Sequence, residues 1–238
     1  MEPVSLPSVG RVLGCARDRE HGCDARHVDD ETYSGPVSQV MDFPAGAVSP
    51  KAAQILDAAL VCIARVGVAK TTLDDVAREA GCARATVYRT FVNKQQLQAA
   101  LVAREAGVLH DLVVASSASS ESLAGAITSV VTTSVHFLAN HPALAFVCAH
   151  EPDVLIPFLA FEREDAVLRN AAVLVAPAFT RFLDADAATR LGEWIARIAL
   201  SYLSSPSESF DIADAEHVCA VVDDFVVPGF VNSEGVSR

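Results

Sequence analysis

The sequence predicts an all-α protein, a three-helix N-terminal module followed by a larger helical domain. Three observations carry this prediction. Two short apolar patterns on either side of Gly81 fit two helices joined by a tight turn. From Leu123 onward, apolar residues recur at helical spacing, as in Leu123, Ile127, Val130 and Val131, or Leu191, Trp194, Ile195 and Ile198. Positive charge, finally, is gathered in one segment. Between Lys51 and Arg104 eight Lys and Arg meet four Asp and Glu, in a chain whose formal net charge is -12. A basic module on an acidic body draws phosphate to one end and repels it from the other.

With 238 residues, 51% of them hydrophobic, the chain is long enough for one or two domains with a real core. Its six cysteines, at 15, 23, 62, 82, 148 and 219, are irregularly spaced and read as reduced thiols rather than a disulfide framework. No run reaches the roughly twenty apolar residues of a membrane helix, and the first residues lack a basic-then-apolar leader pattern, so a cytoplasmic protein is expected. Residues 1–48 show no sustained periodicity and are expected to be disordered. Cys15, His21, Cys23 and His27 lie there without paired zinc spacing. Met41, just ahead of the first helix, is an alternative start for translation.

Ser49-Pro50 opens the first helix with an N-cap and a proline at its first position. Ile55, Leu56, Ala59, Leu60 and Ile63 form its inner face, and Gly67 is expected to end it. Thr72 starts the next helix with Asp75 three residues on, a capping box with Asp in place of Glu. Val76, Ala77 and Ala80 form its apolar side, and Gly81 supplies the left-handed residue that turns the chain. A helix from about Arg84 to Phe91 then buries Val87 and Phe91, leaving Arg84, Ala85, Thr86, Tyr88 and Arg89 outside. This is a helix-turn-helix with a polar, basic outer face. Asn93 caps a third helix that runs to about Val114, with Leu97 and Leu101 inward, before a Ser/Ala patch at Ser116 to Ser120.

Helices are expected at Ser120 to Ala139, stopped by His141-Pro142, at Ala143 to Ala149, and around Leu155 to Leu159. A long one, Glu162 to Leu183, should kink at Pro177. Two more, Ala187 to Ser204 and Asp211 to Val227, are joined by a Ser-Pro-Ser linker short enough to fold them antiparallel. Their broad apolar faces complete the core or meet a second subunit, with Trp194 in either place.

The segment Thr71 to Leu97 resembles the N-terminal DNA-binding domain of the TetR family of bacterial repressors. Thr72, Val76, Ala77, Ala80, Gly81, Thr86, Val87, Tyr88, Phe91, Asn93, Lys94 and Leu97 stand where the family motif expects them. Ala83 replaces the usual Ser, with loss of its N-cap, and Thr90 the usual His or Tyr, changes that bear on affinity rather than fold. With the pattern read above, the resemblance divides the chain into four parts. These are a disordered extension (1–48), a helix-turn-helix domain (49–97), a helical ligand-binding and dimerisation domain (98–229) and a disordered tail (230–238). It implies a homodimer on a near-palindromic double-stranded operator, released by a small molecule, with no cofactor and no membrane contact.

Arg84, Ala85, Thr86 and Arg89 are the base-edge candidates, because Arg can bond two guanine acceptors and Ala or a Thr methyl can meet a thymine methyl. Thr72, Tyr88 and Lys94 are expected on phosphates. Phe137, Phe146, Leu155, Phe158, Phe161 and Trp194 either line an apolar ligand cavity or form ordinary core. Few basic residues follow Arg104, which favours a lipophilic inducer over an anionic one. His150, Glu151 and Asp153 suggest a helix boundary rather than a metal. The sequence holds no glycine-rich phosphate loop, G-x-S-x-G or H-E-x-x-H, so no enzyme is expected. An intracellular carrier of hydrophobic ligands that has lost DNA binding is the alternative function.

Overall fold

The computed structural model describes residues 49–151, 166–204 and 207–231, and every regular element among them is helical. The N-terminal extension with its Cys/His group, and Leu155, Phe158 and Phe161 with the helix expected there, lie outside the described residues.

Helix α1 (Pro50–Lys70) begins as its sequence dictates, the Ser49 hydroxyl accepting from the Ala52 N–H at 3.2 Å. Gly67 does break it, at φ +87°, but one more turn follows to Lys70. The N–H groups orphaned by the break are taken by a distant carboxylate described below. Helix α2 (Leu73–Glu79) carries the expected capping box. The Asp75 N–H donates to the Thr72 hydroxyl, and the Thr72 N–H to the Asp75 carboxylate, both at 3.2 Å. The Thr72 and Arg78 side chains and the Thr72 N–H hold the Asp75 carboxyl below its ordinary range. Gly81 sits at φ +58°, and the Cys82 N–H reaches back to the Ala77 carbonyl at 3.0 Å, closing the turn.

Helix α3 (Arg84–Thr90) follows, then α4 (Lys94–Ser117), capped by Asn93 accepting from the Gln96 N–H at 2.8 Å. Helix α4 outruns the expected end near Val114. The Ser116 and Ser117 hydroxyls donate to the Val113 and Val114 carbonyls, so the first residues of the Ser/Ala patch close the last turn and the rest of it interrupts the helix as expected.

Helices α5 (Leu123–Asn140) and α6 (Pro142–His150) meet at His141, whose Nδ1 accepts from the Leu144 N–H and caps α6. Helix α7 (Ala166–Val175) does not kink and continue to Leu183. It gives way to a 3-10 turn, Ala176–Phe179, because Pro177 has no N–H to carry the α-helical ladder onward. Helix α8 (Ala185–Ser204) crosses α7 closely at Gly192, where an added Cβ would come within 2.7 Å of the Ala172 carbonyl oxygen. Helix α9 (Ala215–Val221) starts four residues later than expected. Asp214 caps it, whereas Asp211 closes a local turn onto the Ala213 N–H. A π-turn (Val222–Val226) and α10 (Val227–Val231) carry the helix past the expected boundary at 229. Pro228 follows that widened turn and has no N–H to give.

Two cores result. The head packs Ile55, Leu56, Val76, Val87, Leu97 and Leu101, and it recruits Ala143 and Val147 from α6. The body packs Ile127, Val130, Phe179, Leu191, Val218 and their neighbours. Cys62 lies in the head core, and burial pushes its thiol up. A polar ladder also joins the parts, since Arg104 bridges Asp57 of α1 at 2.7 Å and Glu105 at 2.8 Å, and Glu105 meets His141 at 3.3 Å. By length and composition α1 and α5 could cross a membrane, against the expectation above, yet each buries its inner residues in one of these cores.

Candidate nucleic-acid interface

Burial on one side of α3 fixes what it shows on the other. Val87 is buried in the head core, and Phe91 closes the helix behind it. Since Val87 points inward, Arg84, Ala85, Tyr88 and Arg89 point outward, with Thr86 half-buried. The four base-edge candidates therefore share one short helix, and Tyr88 stands beside them 45% exposed.

The two arginines differ. Arg84 pairs through Nε with the Asp74 carboxylate at 2.5 Å, across the turn. Arg89 is exposed and has no ion pair among the described residues. Ala83 gives α3 no side-chain cap, as its departure from the motif implies. The Thr90 hydroxyl donates to the Thr86 carbonyl at 2.9 Å, spending its donor inside the helix.

Thr72 and Lys94 lie close to one short stretch of backbone. Thr72 ends it and caps α2, while the Lys94 ammonium donates to the Ala69 carbonyl at 2.9 Å. Burial pushes the Lys94 ammonium down from its ordinary value, and the nearby Glu151 carboxylate opposes the shift. Glu151 stands at the helix boundary expected of it, as the C-cap of α6, but its partners are not legible in the sequence. Its two oxygens accept the Val68 N–H at 2.6 Å and the Ala69 N–H at 3.0 Å from 83 and 82 residues away. Only its place at the end of α6 marked it.

Of the other candidates, Phe137, Phe146 and Trp194 fall among the described residues, and no ring contact joins them there. Phe137 lies edge-on to His141 on α5, and Phe146 stacks on His150 in α6, both half-buried. Trp194 is 37% exposed on α8 and is not core. Among the described residues, no three His, Cys, Asp or Glu are grouped to hold a metal.

An exposed basic recognition helix set on a packed three-helix head defines a helix-turn-helix DNA-binding protein. Residues 55–101 match the model of the bacterial regulatory proteins of the tetR family. HTH-type transcriptional regulators from two strains of Mycobacterium tuberculosis are 30% identical to this chain over 190 residues, 78% of it and 88% of their own length. The chain belongs to the TetR family of transcriptional regulators. It is thus a DNA-binding transcriptional regulator and not an enzyme, from a family that binds operator DNA and ligands and acts as dimers. The fold is also that of the TetR family repressor AlkX from Dietzia sp., implicated in n-alkane biodegradation. That chain is 24% identical with a TM-score of 0.55, over 73% of this chain and 93% of its own. A Mesorhizobium loti protein assigned to the same family gives 19% and 0.51, over 76% and 98%.

Proposed function

We propose that the protein is a cytoplasmic repressor that sits as a homodimer on a near-palindromic operator and leaves it when a small lipophilic molecule binds the body. The outer face of α3 carries this reading. Arg84, Ala85, Thr86 and Arg89 address base edges there, and Thr72, Tyr88 and Lys94 hold the flanking phosphates.

Dimerisation is assigned to the last helices. Trp194 on α8 and Phe225 in the π-turn, the latter 77% exposed, are large apolar groups left at the surface of the body. The lipophilic inducer follows from the body's chemistry. Its core is aliphatic and aromatic, and Arg181, Arg190 and Arg197 are exposed. Phe137 and Phe146, with Leu155, Phe158 and Phe161, are the proposed lining. The inducer acts by binding the DNA-incompetent arrangement more tightly, since equal affinity for both arrangements would shift nothing.

A mobility-shift assay with the DNA upstream of the protein's own gene tests the reading. Specific retardation is expected, reversed by fatty acyl or sterol-like compounds that also change the Trp194 emission. Release by nucleotides with no response to any lipophile would overturn the inducer assignment. A monomer by light scattering would overturn the homodimer, and a dimer that survives replacing Trp194 and Phe225 would overturn the interface.

A further inference from the structure

The break at Gly67 leaves a notch in which backbone N–H groups point outward, and a side chain from another part of the fold fills it. Val68 and Ala69 donate to the two oxygens of Glu151, the C-cap residue of α6. A Cβ built on Gly67 would overlap that carboxylate, so the glycine is needed for its space as well as for its φ of +87°. The stretch from Gly67 to Thr72 is pinned at two further points. The Thr71 hydroxyl donates to the Gly67 carbonyl at 2.6 Å, and the Lys94 ammonium to the Ala69 carbonyl at 2.9 Å.

We propose that Glu151 is a positioning residue for DNA binding, setting the Gly67–Thr72 stretch and through it the phosphate-holding pair Thr72 and Lys94. The inference rests on the assignment of that pair to phosphate. Glu151 and Lys94 grip the backbone of Ala69 from its two polar ends. The N–H donates to a carboxylate and the C=O accepts from an ammonium, so two charge-assisted contacts fix the peptide groups on either side of the Ala69 Cα. An ammonium has three N–H donors. Lys94 therefore keeps one on Ala69 and presents two, already oriented, to a phosphate. Because Ala143 and Val147 embed α6 in the head core, the carboxylate arrives on a rigid support. Without Glu151, Lys94 stays charged but loses its fixed seat.

The test measures binding of the full chain to its upstream DNA and to a scrambled duplex across a salt series. Lys94→Ala is expected to weaken both and to lower the salt slope by about one. Glu151→Ala should weaken both duplexes by the same factor, about tenfold, as for the loss of a charge-assisted contact. Combined with Lys94→Ala it should add less than its own factor, the remainder being what it contributes through Thr72. Glu151→Gln, which keeps the side chain's shape and removes its charge, should fall between the wild type and Glu151→Ala and carries the test if the alanine variant is unstable. Amide exchange should quicken at Val68 and Ala69 while α3 and α8 stay protected. An unchanged slope in Lys94→Ala removes Lys94 from the DNA, and the proposal with it. A lowered slope there, with a Glu151→Ala effect that multiplies or is missing, refutes the role of Glu151 alone.

Discussion

The turn before the recognition helix allows backbone and side-chain effects to be separated at one position. Gly81 holds φ +58°, and a Cβ built on it meets nothing within 4 Å. Substitutions there should be costly for conformation and indifferent to size. An ordinary L-residue in this region costs about 1–2 kcal/mol. Asn, which tolerates the left-handed region, should recover most of that, and a β-branched residue should cost more than Ala. The expected order of head stability is Gly, Asn, then Ala and Leu together, then Val. Amide exchange at Cys82, whose N–H closes the turn on Ala77, reads the loss locally, and operator affinity should fall in the same order because Arg84 begins α3 three residues on. The dimer should persist throughout. Leu much worse than Ala would mean that the space is not open. Asn no better than Ala would mean that the turn is not left-handed, and either result refutes the reasoning.

Replacing Arg89 by Ala should weaken specific binding by about 1–3 kcal/mol and relax one base position; equal loss on every sequence, in a binding-site selection, would place Arg89 on phosphate instead. Replacing Ala83 by Ser restores a missing N-cap and should stabilise the head by about 1 kcal/mol in urea denaturation. Asp75 has its carboxyl lowered in the fold, so its stabilising effect is present above about pH 4, the unfolded value, and is lost as pH falls through the folded one. Thr72→Ala removes the largest cause of that shift and should flatten the acid side of the head's stability profile, measured by thermal unfolding from pH 5 downward.

The elements that the sequence made legible are those whose signals are local. The Thr72–Asp75 box, the left-handed Gly81, the uncapped Ala83 and the Asn93 cap each involve residues within one turn, and each is found where the spacing places it. Where the reading went astray, a partner or a choice lay out of reach. Gly67 looked like a helix end because the acceptor for the next two N–H groups is Glu151, on α6. Asp211 and Asp214 are equally good caps by type, and only the fold selects the second. Pro177 marks a disruption without saying whether a kink or an end follows, and here α7 ends in the 3-10 turn. Trp194 fits core and interface equally by periodicity, and exposure decides against core.

Charge in the head is less simply available than its excess suggests. Arg65, Arg78, Arg84 and Arg104 stand in ion pairs with Glu79, Asp75, Asp74 and Asp57. Lys51, Lys70, Arg89 and Lys94 have no carboxylate in salt-bridge contact among the described residues, so the net positive charge rests on these four. An arginine that leaves an aspartate for a phosphate strands the aspartate, which then needs a counterion of its own, so the exchange adds little to counterion release. The salt slope of operator binding should therefore count unpaired cations, at most four per head, and not every arginine at the interface. Exposed pairs of this kind are worth about 0–1 kcal/mol, so the exchange is cheap in energy even where it is silent in salt. Arg84 can thus reach a base at small cost while leaving no mark on the slope. Arg89, free from the start, offers its guanidinium without a competing partner, and that makes it the contact on which base discrimination should depend most.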